Sequence, residues 1–143
     1  MNFNLDKFFD EYKEIQEEMF FSSYEEGKLR ITTIQKELLS VNFKGVLRCP
    51  EIRAYLFLLE NSLLEIAIYH HQSDKTLLRH YRNLLRMSSF YDVESLYIKS
   101  LNLADEFLRR GNNELADKIL RRTRQRVKSM LKTCKAIISE RGF

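Results

Sequence analysis

The chain has 143 residues, with 24 Lys or Arg against 20 Asp or Glu for a net charge of +4, and 44% of it is hydrophobic. That is the size of a single domain able to bury a core without disulfide or metal staples. One proline, four glycines and no alternating Val/Ile/Thr run argue against a sheet, whose turns need Gly, Pro or Asn-Gly. The expected fold is all-α: a bundle of five to six helices, or a short stack of helical hairpins, with a long C-terminal helix.

Met1–Asp10 carries Asp6, Lys7 and Asp10 inside an aromatic pattern, unlike the cationic and apolar leader of a secreted protein. The cytoplasm is therefore the expected location. Cys49 and Cys134 allow at most one disulfide. Cys134 falls on an apolar helical stripe and is expected to be a buried, reduced thiol.

A first helix is expected from about Leu5 to Phe20, with Asn4 as N-cap. Phe8, Tyr12, Ile15 and Met19 step by four, three and four along one apolar face. The other face is acidic, with Asp6, Asp10, Glu11, Glu14, Glu17 and Glu18. Ser23 and Glu26 have capping-box spacing and open a second helix running to about Ser40, with Leu29, Ile31, Ile34, Leu38 and Leu39 inward. Gly27 weakens its first turn. Val41–Cys49 reads as a connection, with Asn42 and Gly45 as turn residues.

Pro50–His71 is the most apolar stretch. Proline is tolerated in a first helical turn, where its missing N–H has no partner to lose. From Ile52 to Tyr69 apolar residues occupy almost every side, the mark of a helix buried among others or spanning a membrane. Arg53, Glu60, Asn61 and Glu65 interrupt it about once per turn, short of the ~20 apolar residues a span needs. No membrane span is expected, and this helix is placed at the centre of the bundle.

His70, His71 and Gln72 close that helix. Ser73 or Asp74 caps a fourth, from Thr76 to about Met87, with Leu77, Leu78, Tyr81, Leu84 and Leu85 apolar. Ser89 and Asp92 form another box-like start for a fifth helix from about Tyr91 to Arg110, which Gly111 ends in the left-handed conformation. Asn112 or Asn113 caps the sixth, from Glu114 to about Glu140. Along it Ala116, Leu120, Thr123, Val127, Met130, Cys134 and Ile137 alternate by four and three, the seam spacing of helices packed at a shallow angle. Leu115, Ile119, Leu131 and Ile138 widen the stripe and favour packing into a bundle.

Charge is partitioned along the chain. From Arg109 onward there are eleven Lys or Arg and three acids, a net +8, so the remainder carries −4. Arg121, Arg122, Arg124, Arg126, Lys128 and Lys132 concentrate this charge on the last helix. Their basic face either packs beside the acidic first helix, of the same or another subunit, or meets an external anion. Arginine suits bidentate recognition of phosphate or carboxylate.

Motifs for catalysis are missing. There is no glycine-rich phosphate loop, GxSxG, HExxH or CxxC. His70 and His71 point about 100° apart on a helix and cannot share a metal ion. Arg79 and His80 are adjacent, so the Arg-then-His spacing of helical HEPN nucleases is not met. No metal and no cofactor are expected. A third reading is a helical enzyme using Glu60, Glu65 or His80.

Phe107-x3-Gly111-x4-Ala116, with Leu103, Ala104 and Leu120, resembles the turn of a tetratricopeptide repeat. Thr123 stands where a small apolar residue is usual, Lys128 where a proline is common, and no second copy lies about 34 residues away. The resemblance covers one hairpin and implies that helices 1–2, 3–4 and 5–6 stack as antiparallel pairs. The expected function is a non-enzymatic protein–protein interaction or regulatory module, acting on itself as a homodimer or on another protein. The alternative is a nucleic-acid-binding protein using the basic face of the last helix.

Overall fold

The computed structural model describes residues 5–18, 23–41 and 50–140. Among these it is all-α, with no strand. The chain divides into two compact units, Met1–Met87 and Ser88–Phe143. The first unit holds α1 (Leu5–Glu18), α2 (Tyr24–Val41), α3 (Pro50–Tyr69) and α4 (Asp74–Met87). The second holds a 3-10 turn (Phe90–Asp92), α5 (Val93–Arg109) and α6 (Asn113–Glu140). The Asn4 cap, Met19, Phe20 and the connection at 42–49 fall outside the described residues.

In the first unit each helix packs on the next, and α3 lies between α2 and α4. Ile52, Tyr55, Leu56, Phe57, Leu59, Leu63, Leu64, Ile66 and Ala67 are all buried, which accounts for a helix with almost no polar side. Tyr12 and Phe9 of α1 meet the Tyr55 ring edge-on, at centroid distances of 6.0 and 5.5 Å. Burial, reinforced by the Glu11 carboxylate, holds the Tyr55 hydroxyl well above its ordinary pKa. Gly27, a liability for helix propensity alone, sits where α2 and α3 approach closely. A Cβ there would stand 2.9 Å from Ile66 Cδ1.

Local chemistry sets the helix ends. Ser23 Oγ accepts the Glu26 N–H at 3.3 Å, and Ser73 Oγ accepts that of Thr76 at 3.3 Å. At the far end of α4, Arg53 Nε donates to the Met87 carbonyl at 3.3 Å, a cation on an unpaired C-terminal carbonyl. The Ser89–Asp92 box forms, with the Ser89 N–H donating to Asp92 at 2.7 Å. It opens a single 3-10 turn, and the α-helix proper begins at Val93, two residues later than the spacing predicts.

Two helices end in the same left-handed motif. Gly111 has φ +79°, the Asn112 N–H reaches the Phe107 carbonyl at 2.8 Å, and the Gly111 N–H reaches that of Leu108 at 3.0 Å. The pattern repeats after α3, where Gln72 donates to Ala67 at 2.9 Å and His71 to Ile68 at 3.1 Å. There the left-handed residue is His71, with φ +52°. A residue with a Cβ costs roughly 1–2 kcal/mol in this conformation, partly offset by the greater unfolded-state freedom of glycine. His71→Gly is therefore expected to raise the unfolding free energy by about 0.5–1 kcal/mol, measured by urea denaturation. Unchanged or lower stability would mean the imidazole contributes contacts that outweigh the strain.

In the second unit α5 and α6 form a hairpin closed at Gly111. Asn112 Oδ1 caps α6 by accepting the Leu115 N–H at 3.2 Å. Leu96, Leu103, Ala104, Phe107, Ala116, Ile119, Val127 and Met130 are buried. Thr123, the departure from the tetratricopeptide pattern, is completely buried and lies 2.7 Å from the Ser100 hydroxyl, which itself donates to the Leu96 carbonyl. The seam weakens toward the C-terminus: Cys134 is a free, half-buried thiol and Ile137 is exposed.

Candidate functional site

Two features of the second unit face solvent, and one polar cluster is sealed inside the first. The sealed cluster holds Glu60 and His80, two of the three residues from which an enzyme could be built. Glu60 on α3 and His80 on α4 are 2% and 3% exposed, and Tyr24 at the start of α2 is 6% exposed. His80 Nδ1 lies 3.3 Å from Glu60 Oε1, and Nε2 lies 2.8 Å from the Tyr24 hydroxyl. The tautomer with its proton on Nδ1 satisfies both contacts, donating to the carboxylate and accepting from the phenol. Gln35 Nε2 donates to the other carboxylate oxygen at 2.9 Å, and Asn83 Nδ2 donates to Oε1 at 3.2 Å.

The partners of Glu60 are the neutral donors Gln35 and Asn83 and the His80 ring. Phenol, imidazole and carboxylate in a chain resemble a nucleophile, its base and an orienting acid. Yet both carboxylate oxygens and both ring nitrogens are occupied by protein partners, which leaves no position for a substrate atom. Burial raises the Tyr24 pKa, opposed by the Arg79 guanidinium, which works against a reactive phenolate. The cluster ties α2, α3 and α4 together. Glu65 is half-buried and outside it. His71 is exposed while His80 is buried, and no group of three His, Cys, Asp or Glu among the described residues could hold a metal ion.

The first exposed feature is the outer face of α5. Ile98, Leu101 and Leu108 are 48%, 56% and 52% exposed, and Tyr91 in the preceding turn is 92% exposed. The positions 94, 98, 101, 105 and 108 of α5 step by three and four, so they form one stripe, with Tyr91 in the turn ahead of it. Glu94 and Asp105 take the two polar places in it, and Asp105 is bridged by Arg109.

The second is the outer face of α6. At about 100° per residue, Lys118, Arg121, Arg122, Gln125, Lys128 and Lys132 fall in one strip opposite the buried Ala116, Ile119, Thr123, Val127 and Met130. Arg121, Arg124, Gln125, Lys128 and Lys132 are exposed; Lys118 and Arg122 are half-buried. Among the described residues, none of these cations has an ion-pair or side-chain hydrogen-bond partner. Glu114, Lys118, Arg121, Arg122 and Gln125 line a surface depression of about 370 Å³.

Arg126 differs from the other five predicted site residues. Its Nη2 donates to the Ser88 carbonyl at 2.8 Å, with Nε 3.4 Å from the Ser88 hydroxyl. It ties α6 to the chain ahead of the 3-10 turn and is not on the basic strip. The acidic face of α1 finds counter-charge within its own unit, since Arg30 of α2 bridges Glu14 and Glu18.

No helix among the described residues is long and apolar enough to cross a membrane. The chain matches no protein-family model, no curated protein and no solved structure.

Proposed function

We propose that the chain is a non-enzymatic helical interaction module that pairs with a second copy of itself through the outer face of α5. The observation that carries this reading is the stripe of Ile98, Leu101 and Leu108 with Tyr91 ahead of it, four large apolar side chains left exposed. Contiguous exposed apolar surface at helical spacing marks a docking face for another helix. The seam of α6, the other candidate for pairing, is consumed internally, because Val127 and Met130 are 5% and 7% exposed.

The stripe suits a two-fold partner. In an antiparallel pair centred between Lys99 and Ser100, Ile98 meets Leu101 of the second copy at the middle of an isologous contact. Glu94 then faces Asp105 of the second copy, and the Arg109 guanidinium on Asp105 softens that repulsion. Ile98→Glu combined with Leu101→Glu puts four carboxylates at the centre of the pair. The variant is expected to keep the wild-type circular dichroism, since both sites are exposed, and to sediment as a 17.2 kDa monomer where the wild type forms a dimer. A variant of unchanged mass would remove α5 as the interface.

A further inference from the structure

We infer that the outer face of α6 is a second, separate binding surface, and that its ligand is the phosphate backbone of duplex DNA. From Lys118 to Ser139 the chain contains no acid. Seven of the eight cations in that span, Lys118, Arg121, Arg122, Arg124, Lys128, Lys132 and Lys135, are without a side-chain partner among the described residues. The eighth, Arg126, holds Ser88. Of the other acids of the same unit, Asp105 and Glu106 are engaged by Arg109 and Arg110 and Asp92 by its capping box, which leaves, at the start of α6, Glu114 and Asp117 as two acids beside seven cations. The charge on α6 is thus left for an external anion.

The character of the strip selects among anions. Positions 118, 121, 122, 125, 128 and 132 are all polar, so the strip lacks the apolar centre of a protein interface and the apolar face that would sink into a membrane surface. It runs for about 21 Å along a helix about 10–12 Å wide, which the ≈ 12 Å major groove of B-form DNA admits. The deep, narrow major groove of duplex RNA does not. Arg121, Arg122 and Gln125 lie side by side, and these are side chains that bond phosphates or base edges in bidentate fashion. Glu114 closes the strip at one end and Glu140 at the other, which confines contact to the stretch between them.

The test is fluorescence anisotropy of the full chain on a short labelled DNA duplex over a range of salt, beside an RNA duplex of the same sequence and polyglutamate. DNA binding is expected to weaken with a log–log salt slope of about −4 to −5, as for release of counterions from about five phosphates. Replacing Arg121, Arg122, Lys128 and Lys132 together by Ala should lower affinity about 100-fold or more at low salt and flatten the slope by about three to four. Arg121, Lys128 and Lys132 are exposed and Arg122 is half-buried, and unchanged circular dichroism verifies that the variant folds. No binding at low salt, a slope that survives the four substitutions, or equal binding to polyglutamate or duplex RNA would each overturn the inference. The Ile98→Glu/Leu101→Glu chain should keep the wild-type salt slope, so failure at α5 and failure at α6 are read separately.

Discussion

Glu60→Ala is expected to cost the first unit about 3–5 kcal/mol, because it removes a buried acceptor that three side-chain donors share. The carboxylate accepts from His80, Gln35 and Asn83, and its loss strands the buried His80 donor on α4 together with two half-buried amide donors on α2 and α4. Each unsatisfied buried donor costs about 1–3 kcal/mol; partial relaxation keeps the sum below the simple total. Glu60→Gln is milder, about 1–3 kcal/mol, because the amide retains one acceptor oxygen but turns its NH₂ toward another donor. Urea denaturation followed by circular dichroism measures both. A loss under about 1 kcal/mol for Glu60→Ala would mean the cluster is wet in solution and does not tie the three helices together.

The second large effect lies at the closed end of the hairpin. Phe107 is completely buried, one turn before Gly111, and its carbonyl accepts the Asn112 N–H that ends α5. Phe107→Ala removes a ring from a two-helix core that has little other material to refill the space. The expected loss is about 3–5 kcal/mol. Leu108→Ala, compared at a concentration low enough to keep both chains monomeric, is the matched control: its side chain is 52% exposed, so the change should stay within about 0.5 kcal/mol. Equal effects at the two positions would contradict the assignment of inner and outer faces of α5, and with it the stripe on which self-association rests.

Much of this architecture is legible in the sequence because its punctuation is local. Pro50, Ser73, Ser89, Gly111 and Asn112 each act on backbone groups within a few residues, and each marks an observed helix end. The nearly all-round apolar character of Ile52–Tyr69 likewise places α3 between its neighbours without tertiary information. Departures arise where partners are distant in sequence. Glu60 and His80 stand out singly, but nothing local says that Tyr24, Gln35 and Asn83 converge on them. The left-handed His71 carries no glycine signal, because the hydrogen bonds of the motif impose the conformation on whatever residue occupies the position.

Arg126 is the instructive case among the candidate site residues. Within the run Arg121–Arg126 it looks like one more cation of a basic face. Counted by helical turns, it stands seven residues after Ile119 and four before Met130, both buried, and so borders the inner face. Residue type alone suggested a cluster of four arginines; periodicity separates the one that holds Ser88 from those facing solvent. The α5 stripe was hidden for the opposite reason. Ile98, Leu101 and Leu108 have the same spacing as core residues, and only the observed burial of Leu96, Leu103 and Phe107 identifies which apolar face is left over.

Sedimentation of the wild-type chain over a wide range of concentration tests the central claim most directly. Pairing through α5 predicts a mass that rises from 17.2 kDa toward twice that value, at high as well as low salt, since the contact is apolar. A chain that remains monomeric at every concentration would contradict it.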